Sequence, residues 1–150
     1  MNTGNLLSNT LLLSALIAWL VAQILKTLIH LIVNKELDLT RLVGDGGLPS
    51  AHSATVCGLA TAAAYEYGLG SFQFAITAIL AIIVMHDAMG VRRESGKHAV
   101  LLNEMMKYLD MSEFNPDEAL KEMLGHTPTQ VVAGAIVGII VASVLGTSVF

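Results

Sequence analysis

The sequence has few charged residues and a single cysteine. Only 13% of its 150 residues are charged and 54% are hydrophobic, whereas an average soluble domain is about 25% charged. This shortage of charge indicates that lipid, rather than water, surrounds much of the surface. Cys57 lies in an apolar stretch and has no second cysteine for an intrachain disulfide, so we interpret it as a small packing residue. The absence of a basic, aromatic-rich patch gives no support for nucleic-acid binding.

Four apolar segments have, or approach, the length of a membrane-spanning helix. Crossing about 30 Å of hydrocarbon takes about 20 predominantly apolar residues, and helices satisfy their backbone groups within the segment. We predict spans over residues 11–33, 50–67, 71–89 and 128–150. The second span is alanine-rich and short, so we expect it to need protein neighbours. The chain, residues 1–150, is therefore predicted to be an all-α integral membrane protein with a single membrane domain.

A polar insertion separates the third and fourth predicted spans, over about residues 94–124. Its first part, residues 94–109, mixes apolar and charged residues at helical spacing. That pattern predicts an amphipathic helix lying at the membrane interface.

The basic residues are confined to two regions of the chain. All 8 lysines and arginines lie near the end of the first predicted span or after the first or the third, namely Lys26, Lys35, Arg41, Arg92, Arg93, Lys97, Lys107 and Lys121. With four crossings these regions share one side, and basic short loops stay in the cytoplasm. We therefore expect an inner (cell) membrane protein with both termini outside and both large loops cytoplasmic.

A glycine-rich loop precedes the second predicted span and ends in Pro49-Ser50-Ala51-His52. Gly47 permits close backbone approach, and Pro49 with Ser50 suits the start of a helix, whose amides and dipole favour an anion such as phosphate. Ser50 could donate to a phosphate oxygen, and His52 could move a proton. The alternative is a glycine-rich turn capped by a serine.

Two further polar clusters belong to the same predicted side of the membrane. Asp87 lies near the end of the third span, and Arg92 and Arg93 follow that span. An arginine fork there suits phosphate, and the alternative is an ion pair between Asp87 and an arginine that anchors the helix end. His126 opens the fourth span, where a simple interfacial cap is the alternative. The coincidence of three polar helix ends on one side favours a common site.

These motifs resemble those of the type 2 phosphatidic acid phosphatase superfamily. Residues 49–52 are similar to its Pro-Ser-Gly-His motif, and residues 125–134 are similar to its Gly-x-His-Tyr-Pro-Ser-Asp-Val-x-x-Gly motif. With Trp19-x-x-x-Gln23-x-x-Lys26 and residues 87–93, nearly the whole chain resembles the small divergent bacterial and plastid branch of that superfamily.

The resemblance implies a phosphatase that uses neither metal nor other cofactor and works through a phosphohistidine. His126 would attack phosphorus, while His52 would protonate the leaving alcohol and later activate water. The implied phosphate-binding groups are Ser50, Gly47 and nearby amides, Arg92 or Arg93, and Lys26, with Lys35 and Arg41 as the alternative to Lys26.

The sequence also departs from the superfamily pattern. The arginine-proline dipeptide of its first motif does not occur, and the arginines lie well upstream of His126. Gln130 stands where the pattern has an aspartate that would orient the histidine and stabilise its charge. Gln130 can orient the ring without supplying charge, and we expect Asp87 to supply it from the neighbouring helix.

The leading functional hypothesis is hydrolysis of a phosphomonoester or diphosphate on a membrane lipid. The cytoplasmic placement favours phosphatidylglycerophosphate or phosphatidate, and thus a place in phospholipid metabolism. The alternative is a catalytically silent protein on the same scaffold that binds or transports lipid phosphate or serves as a partner subunit.

Two other interpretations concern metal and oligomeric state. A metal site could be made from His52, His86, Asp87, Asp45 and His126, although no His-x-x-x-His spacing occurs. The small-residue pairs Gly134 with Gly138 and Gly58 with Ala62 permit close helix contact, either within one chain or in a homodimer.

Overall fold

The chain folds into helices. A computed structural model describes residues 8–42, 47–108 and 125–149, with the backbone alone described for residues 40, 41, 92, 93 and 147–149. Within these ranges the α-helices are α1 (Thr10–Asn34), α2 (Ala51–Tyr67), α3 (Phe72–Met89), α4 (Val91–Tyr108) and α5 (Pro128–Val149). A 3-10 turn at Leu39–Leu42 follows α1, and none of the described residues forms a strand. The prediction of an all-α protein is confirmed.

Polar side chains set the beginnings of three helices. Asn9, Ser50 and Ser71 each accept a hydrogen bond from the backbone amide three residues later, which satisfies an amide that the first helical turn leaves unpaired. The helices α1, α2, α3 and α5 coincide with the four predicted apolar segments, and α4 occupies the predicted amphipathic stretch. Residues 109–124, the rest of the predicted insertion, lie outside the described residues.

The helix α2 lies at the centre of the fold and contacts α1, α3 and α5. Its buried side chains are small, and α5 meets it through Gly134 and Gly138. A Cβ atom at Gly134 would lie 2.2 Å from the Ser50 carbonyl oxygen, and one at Gly138 would lie 2.2 Å from the Ala54 carbonyl oxygen. These glycines therefore let two helices approach to backbone contact within one chain.

The helix α1 runs antiparallel to α2. At one end the Thr10 hydroxyl donates a hydrogen bond to the Glu66 carboxylate near the end of α2. At the other end Lys26 lies against Gly47, just before α2 begins, where a Cβ atom on Gly47 would be 3.2 Å from Lys26 Cγ. The two helices thus run side by side from Thr10 to Lys26.

Apolar side chains of large size lie on the outside of the fold rather than in its core. The buried hydrophobic residues are mostly alanines, whereas leucines, isoleucines and valines of α1, α3 and α5 are exposed. The stretches Thr10–Asn34, Phe72–Tyr108 and Pro128–Gly146 are long and apolar enough to cross a membrane. An exterior of this kind is stable in lipid and not in water, so this is a membrane protein. The 17-residue α2 is not among those three stretches, so its crossing stays a prediction.

Candidate active site

The site begins where the first turns of α2 and α5 meet. The backbone amide of Ser50 donates to the Gln130 carbonyl oxygen at 3.0 Å, and Gly134 packs directly on the Ser50 backbone. A larger residue at position 134 would force the two helix beginnings apart. The sequence therefore brings two of its polar motifs together through one hydrogen bond and one glycine.

Ser50 is fully buried at this junction. Its hydroxyl oxygen accepts from the Ser53 amide at 3.3 Å and from the Ser53 hydroxyl at 3.1 Å. A serine hydroxyl has two acceptor lone pairs and one donor hydrogen. Since both contacts use Ser50 as the acceptor, its own hydrogen is left to donate to another group.

His126 joins the end of α3 to the start of α5. Its backbone amide donates to the Ala88 carbonyl oxygen at 2.9 Å, and the residue is only 4% exposed. The preceding residue, Gly125, has a φ of 87°, in the left-handed region that favours glycine. Three helix ends from distant parts of the chain thus converge around this histidine.

Gln130 determines which nitrogen of His126 carries the proton. One atom, Gln130 Oε1, lies 3.0 Å from the backbone amide of Thr127 and 3.2 Å from His126 Nδ1. The Thr127 amide can only donate, so that atom is the oxygen and accepts from both neighbours. In the neutral ring Nδ1 is then protonated, and Nε2 has the lone pair that a nucleophile needs.

His52 lies beside His126. The two ring centroids are 6.1 Å apart, with the planes inclined at 61° in an edge-to-face arrangement. His52 belongs to the first turn of α2 and is half-buried. The two imidazoles, one in α2 and the other just before α5, are therefore near enough to act on one substrate atom between or beside them.

Lys26, a predicted phosphate-binding residue, packs on the turn that leads into α2. Lys26 is 4% exposed, and its aliphatic stem covers the α-carbon of Gly47, whose φ of 84° favours glycine. Lys35 instead lies exposed just beyond the end of α1, and the side chain of Arg41 lies outside the described residues. The structure thus joins two predicted phosphate-binding residues, Lys26 and Gly47.

Comparison with known proteins shows the family of this chain. A family model described as the Divergent PAP2 family matches residues 7–141. The chain belongs to the Divergent PAP2 family. It is also 41% identical to the uncharacterized membrane protein YuiD of Bacillus subtilis (strain 168), over 93% of this chain and 96% of that protein. No solved structure matches.

The motifs that resemble those of the PAP2 superfamily are the segments that meet at this junction. Asp87 is the residue before Ala88, whose carbonyl oxygen binds the His126 amide. Arg92 and Arg93 lie in the first turn of α4, directly after α3, and their side chains are outside the described residues. Within the described part of the chain, no three histidine, cysteine or acidic side chains group as metal ligands, and Asp45 lies outside that part.

The sequence did not lead us to predict two residues of the site, Ser53 and Thr127, although its spacing contains a signal for each. Ser53 follows Ser50 at the spacing that brings residues together in a first helical turn. Thr127 and Gln130 form a reciprocal cap. The backbone amide of Gln130 donates to Thr127 Oγ1 at 3.4 Å, and the backbone amide of Thr127 donates to Gln130 Oε1. The threonine-x-x-glutamine spacing is that of a capping box and could have predicted the position of Gln130.

Proposed function

We propose that this protein hydrolyses a phosphomonoester or diphosphate on a membrane lipid, with a phosphohistidine at His126 as the intermediate. The observation that carries the proposal is the His52–His126 pair, 6.1 Å apart between ring centroids. The Gln130 oxygen leaves Nε2 of His126 as the nucleophilic nitrogen. Membership of the Divergent PAP2 family supports the same chemistry.

The reaction has two steps. Nε2 of His126 attacks phosphorus and the phosphorus–oxygen bond to the lipid breaks, while His52 gives its proton to the departing alkoxide. Water then attacks the phosphohistidine and transfers a proton to His52, which releases inorganic phosphate and restores both rings. General acid–base help of this kind contributes about 10²–10⁴-fold to rate.

Groups around the histidines would hold the phosphoryl oxygens. Ser50 has its hydroxyl hydrogen to donate, and Lys26 supplies a positive charge beside the turn at Gly47. Arg92 or Arg93 would complete the set from the start of α4. Donors and charges of this kind stabilise the transition state where negative charge develops.

We infer that the site faces the cytoplasmic leaflet of the inner membrane. The side-by-side packing of α2 with α1 from Lys26 to Thr10 supports α2 as a fourth crossing, and its 17 residues are about 25 Å long. Exposed Leu101, Leu102 and Met105 support α4 as an interfacial helix. Phosphatidylglycerophosphate and phosphatidate are the favoured substrates on that side.

The test is phosphate release by purified, detergent-solubilised protein from a panel of short-chain lipid phosphates. We expect His126→Ala to abolish release and the matched control His98→Ala, an exposed histidine of α4, to retain it. An activated aryl phosphate, whose leaving group needs no proton, should let His52→Ala accumulate the phosphohistidine. Absence of release by folded wild-type protein from every lipid would reject the proposal, as would turnover by His126→Ala.

The second candidate function is a silent binder, transporter or partner protein for lipid phosphate. The observation that favours it is Gln130, whose neutral amide supplies no charge beside the imidazole. In that case His126→Ala would alter lipid binding, and neither wild-type protein nor the variant would release phosphate.

A further inference from the structure

Two buried polar atoms of α1 have no hydrogen-bond partner. Within the described part of the chain, the side-chain atoms in this state are Gln23 Oε1 and His30 Nδ1. They lie on either side of Lys26, three residues before it and four residues after it, so all three share one stripe of the helix. A buried acceptor without a donor destabilises a protein, and inside a membrane such residues mark the paths of polar ligands.

Gln23 is the deeper of the two and is only 4% exposed. Lys26 lies beside Gly47 at the level of the phosphate-binding turn. Ala22 packs in one cluster with Ala51 and Ala54, so Gln23 lies at the level of the first turn of α2. Three residues of α-helix rise about 4.5 Å, and helical side chains lean toward the N-terminus. The Gln23 amide thus lies beneath Lys26, further into the membrane.

A lipid bound with its phosphate at the histidines has its alcohol portion at this depth, because its acyl chains extend into the hydrocarbon. The oxygen of Gln23 can only accept a hydrogen bond. Ester oxygens and alkyl chains have no hydrogen to give, whereas a hydroxyl on the carbon next to the phosphate ester does. A lipid that donates a hydrogen bond to Gln23 Oε1 therefore bears a free hydroxyl beside its phosphomonoester.

We propose that Gln23 is a specificity-determining residue that accepts a hydrogen bond from this hydroxyl. The inference rests on the proposed function and narrows it to lipids whose terminal phosphate is carried on a hydroxylated headgroup such as glycerol. A site that hydrogen-bonds a substrate hydroxyl strongly rejects the analogue without it, because the buried acceptor is then left unpaired. Phosphatidate, which has no such hydroxyl, is the poorer substrate.

The test uses two short-chain lipids that differ by one hydroxyl: phosphatidylglycerophosphate and the analogue in which propanediol phosphate replaces glycerol phosphate. We expect wild-type kcat/KM to favour the hydroxylated lipid by about tenfold or more. Gln23→Met keeps the length of the side chain and removes the acceptor, so it should reduce this ratio to near one. Because the unpaired oxygen is also removed, the Tm of Gln23→Met should equal or exceed that of wild type.

Thr27→Val is the matched control, since Thr27 is buried one turn away and its hydroxyl is already bonded to the Gln23 carbonyl oxygen. It should keep the wild-type ratio. Equal use of both lipids by wild type, or an unchanged ratio in Gln23→Met, would overturn the assignment. A lower Tm in Gln23→Met with both lipids slowed equally would show a structural role and would overturn it too.

Lipid binding, measured as the rise in Tm on adding each lipid, separates this inference from the proposed function. Wild-type protein that releases no phosphate but prefers the hydroxylated lipid in binding, with the preference lost in Gln23→Met, would reject the phosphatase. The role of Gln23 would then stand. Phosphate release without that preference would keep the phosphatase and reject the role of Gln23.

Discussion

At the scale of single residues, Gln130 uses one oxygen for two purposes. It caps the first turn of α5 by accepting from the Thr127 amide, and it holds the Nδ1–H of His126. The same atom therefore couples the start of a helix to the tautomer of the proposed nucleophile. Because the amide is neutral, it fixes the ring but does not stabilise positive charge on it.

Substitutions at Gln130 test the orientation of the His126 ring separately from the charge beside it. Gln130→Glu keeps the length and both acceptor contacts and adds a negative charge, so we expect kcat to rise about tenfold, or about 1.4 kcal/mol in activation free energy. Gln130→Leu removes the acceptor of Nδ1 of the buried His126 and of the exposed Thr127 amide, and we expect a loss of about 1–3 kcal/mol in unfolding free energy and lower kcat. Steady-state kinetics and thermal unfolding measure both. Wild-type kinetics in Gln130→Leu would contradict this role.

Asp87 is the residue that we expect to supply the missing charge. It lies one residue before the carbonyl group that binds the His126 amide. Asp87→Asn should lower kcat about 100-fold with little change in Tm, and Gln130→Glu should restore part of that loss in the double variant. Unchanged turnover in Asp87→Asn would exclude Asp87 from the mechanism.

At the scale of helices, the site depends on how closely α5 approaches α2. The small residues that permit this approach also place His126 relative to His52, since each histidine lies at or just before the first turn of one of these helices. Any side chain added at the contact has to move backbone rather than a flexible side chain.

Gly134→Ala tests this dependence. Its Cβ atom would lie 2.2 Å from the Ser50 carbonyl oxygen, and such overpacking costs about 1–3 kcal/mol. We expect a lower Tm and loss of phosphate release, because α5 shifts and separates the two histidines. The control is Val132→Ala on the same helix, where the residue is 57% exposed. If Gly134→Ala matched that control in both measurements, close packing would not determine the site.

At the scale of the whole molecule, the membrane orientation decides which leaflet supplies the substrate. The basic residues lie in the last third of α1 and in the segments after α1 and after α3, and the turn between α2 and α3 has none. Because α3 connects that turn to α4, the two lie on opposite sides if α3 crosses the membrane. The exposed residues Leu69, in the turn, and Lys97, in α4, report on the two sides.

Cysteine labelling in intact spheroplasts measures this orientation. In a Cys57→Ala background we expect a membrane-impermeant maleimide to label Leu69→Cys directly and to label Lys97→Cys only after lysis. The reason is that basic segments are retained in the cytoplasm. Labelling of Lys97→Cys in intact cells would reverse the orientation, and labelling of neither residue before lysis would exclude α3, which connects them, as a crossing.

Hydropathy and turn chemistry alone determined the helices of this protein. Long uncharged stretches have to form helices in lipid, and Ser50, Ser71 and Pro128 mark where helices begin, so the four apolar segments could be read directly. The motifs at residues 49–52 and 125–134 likewise identified His52, Ser50 and His126 as a group, because their residue types suit phosphate chemistry. Residues 109–124 and the side chains of Arg92 and Arg93 are outside the described structure, and the predictions for them stand as predictions.

The tertiary structure alone decided how these residues face one another. Periodicity cannot reveal that the Gln130 oxygen binds both Thr127 and His126, that Lys26 lies on Gly47, or that Gln23 keeps an unpaired acceptor. Each of these facts depends on the distance between groups that the chain separates or on the rotation of a helix about its axis. Helix formation follows from the local balance of apolar residues and caps, whereas contacts between helices follow from close packing, which depends on all partners at once.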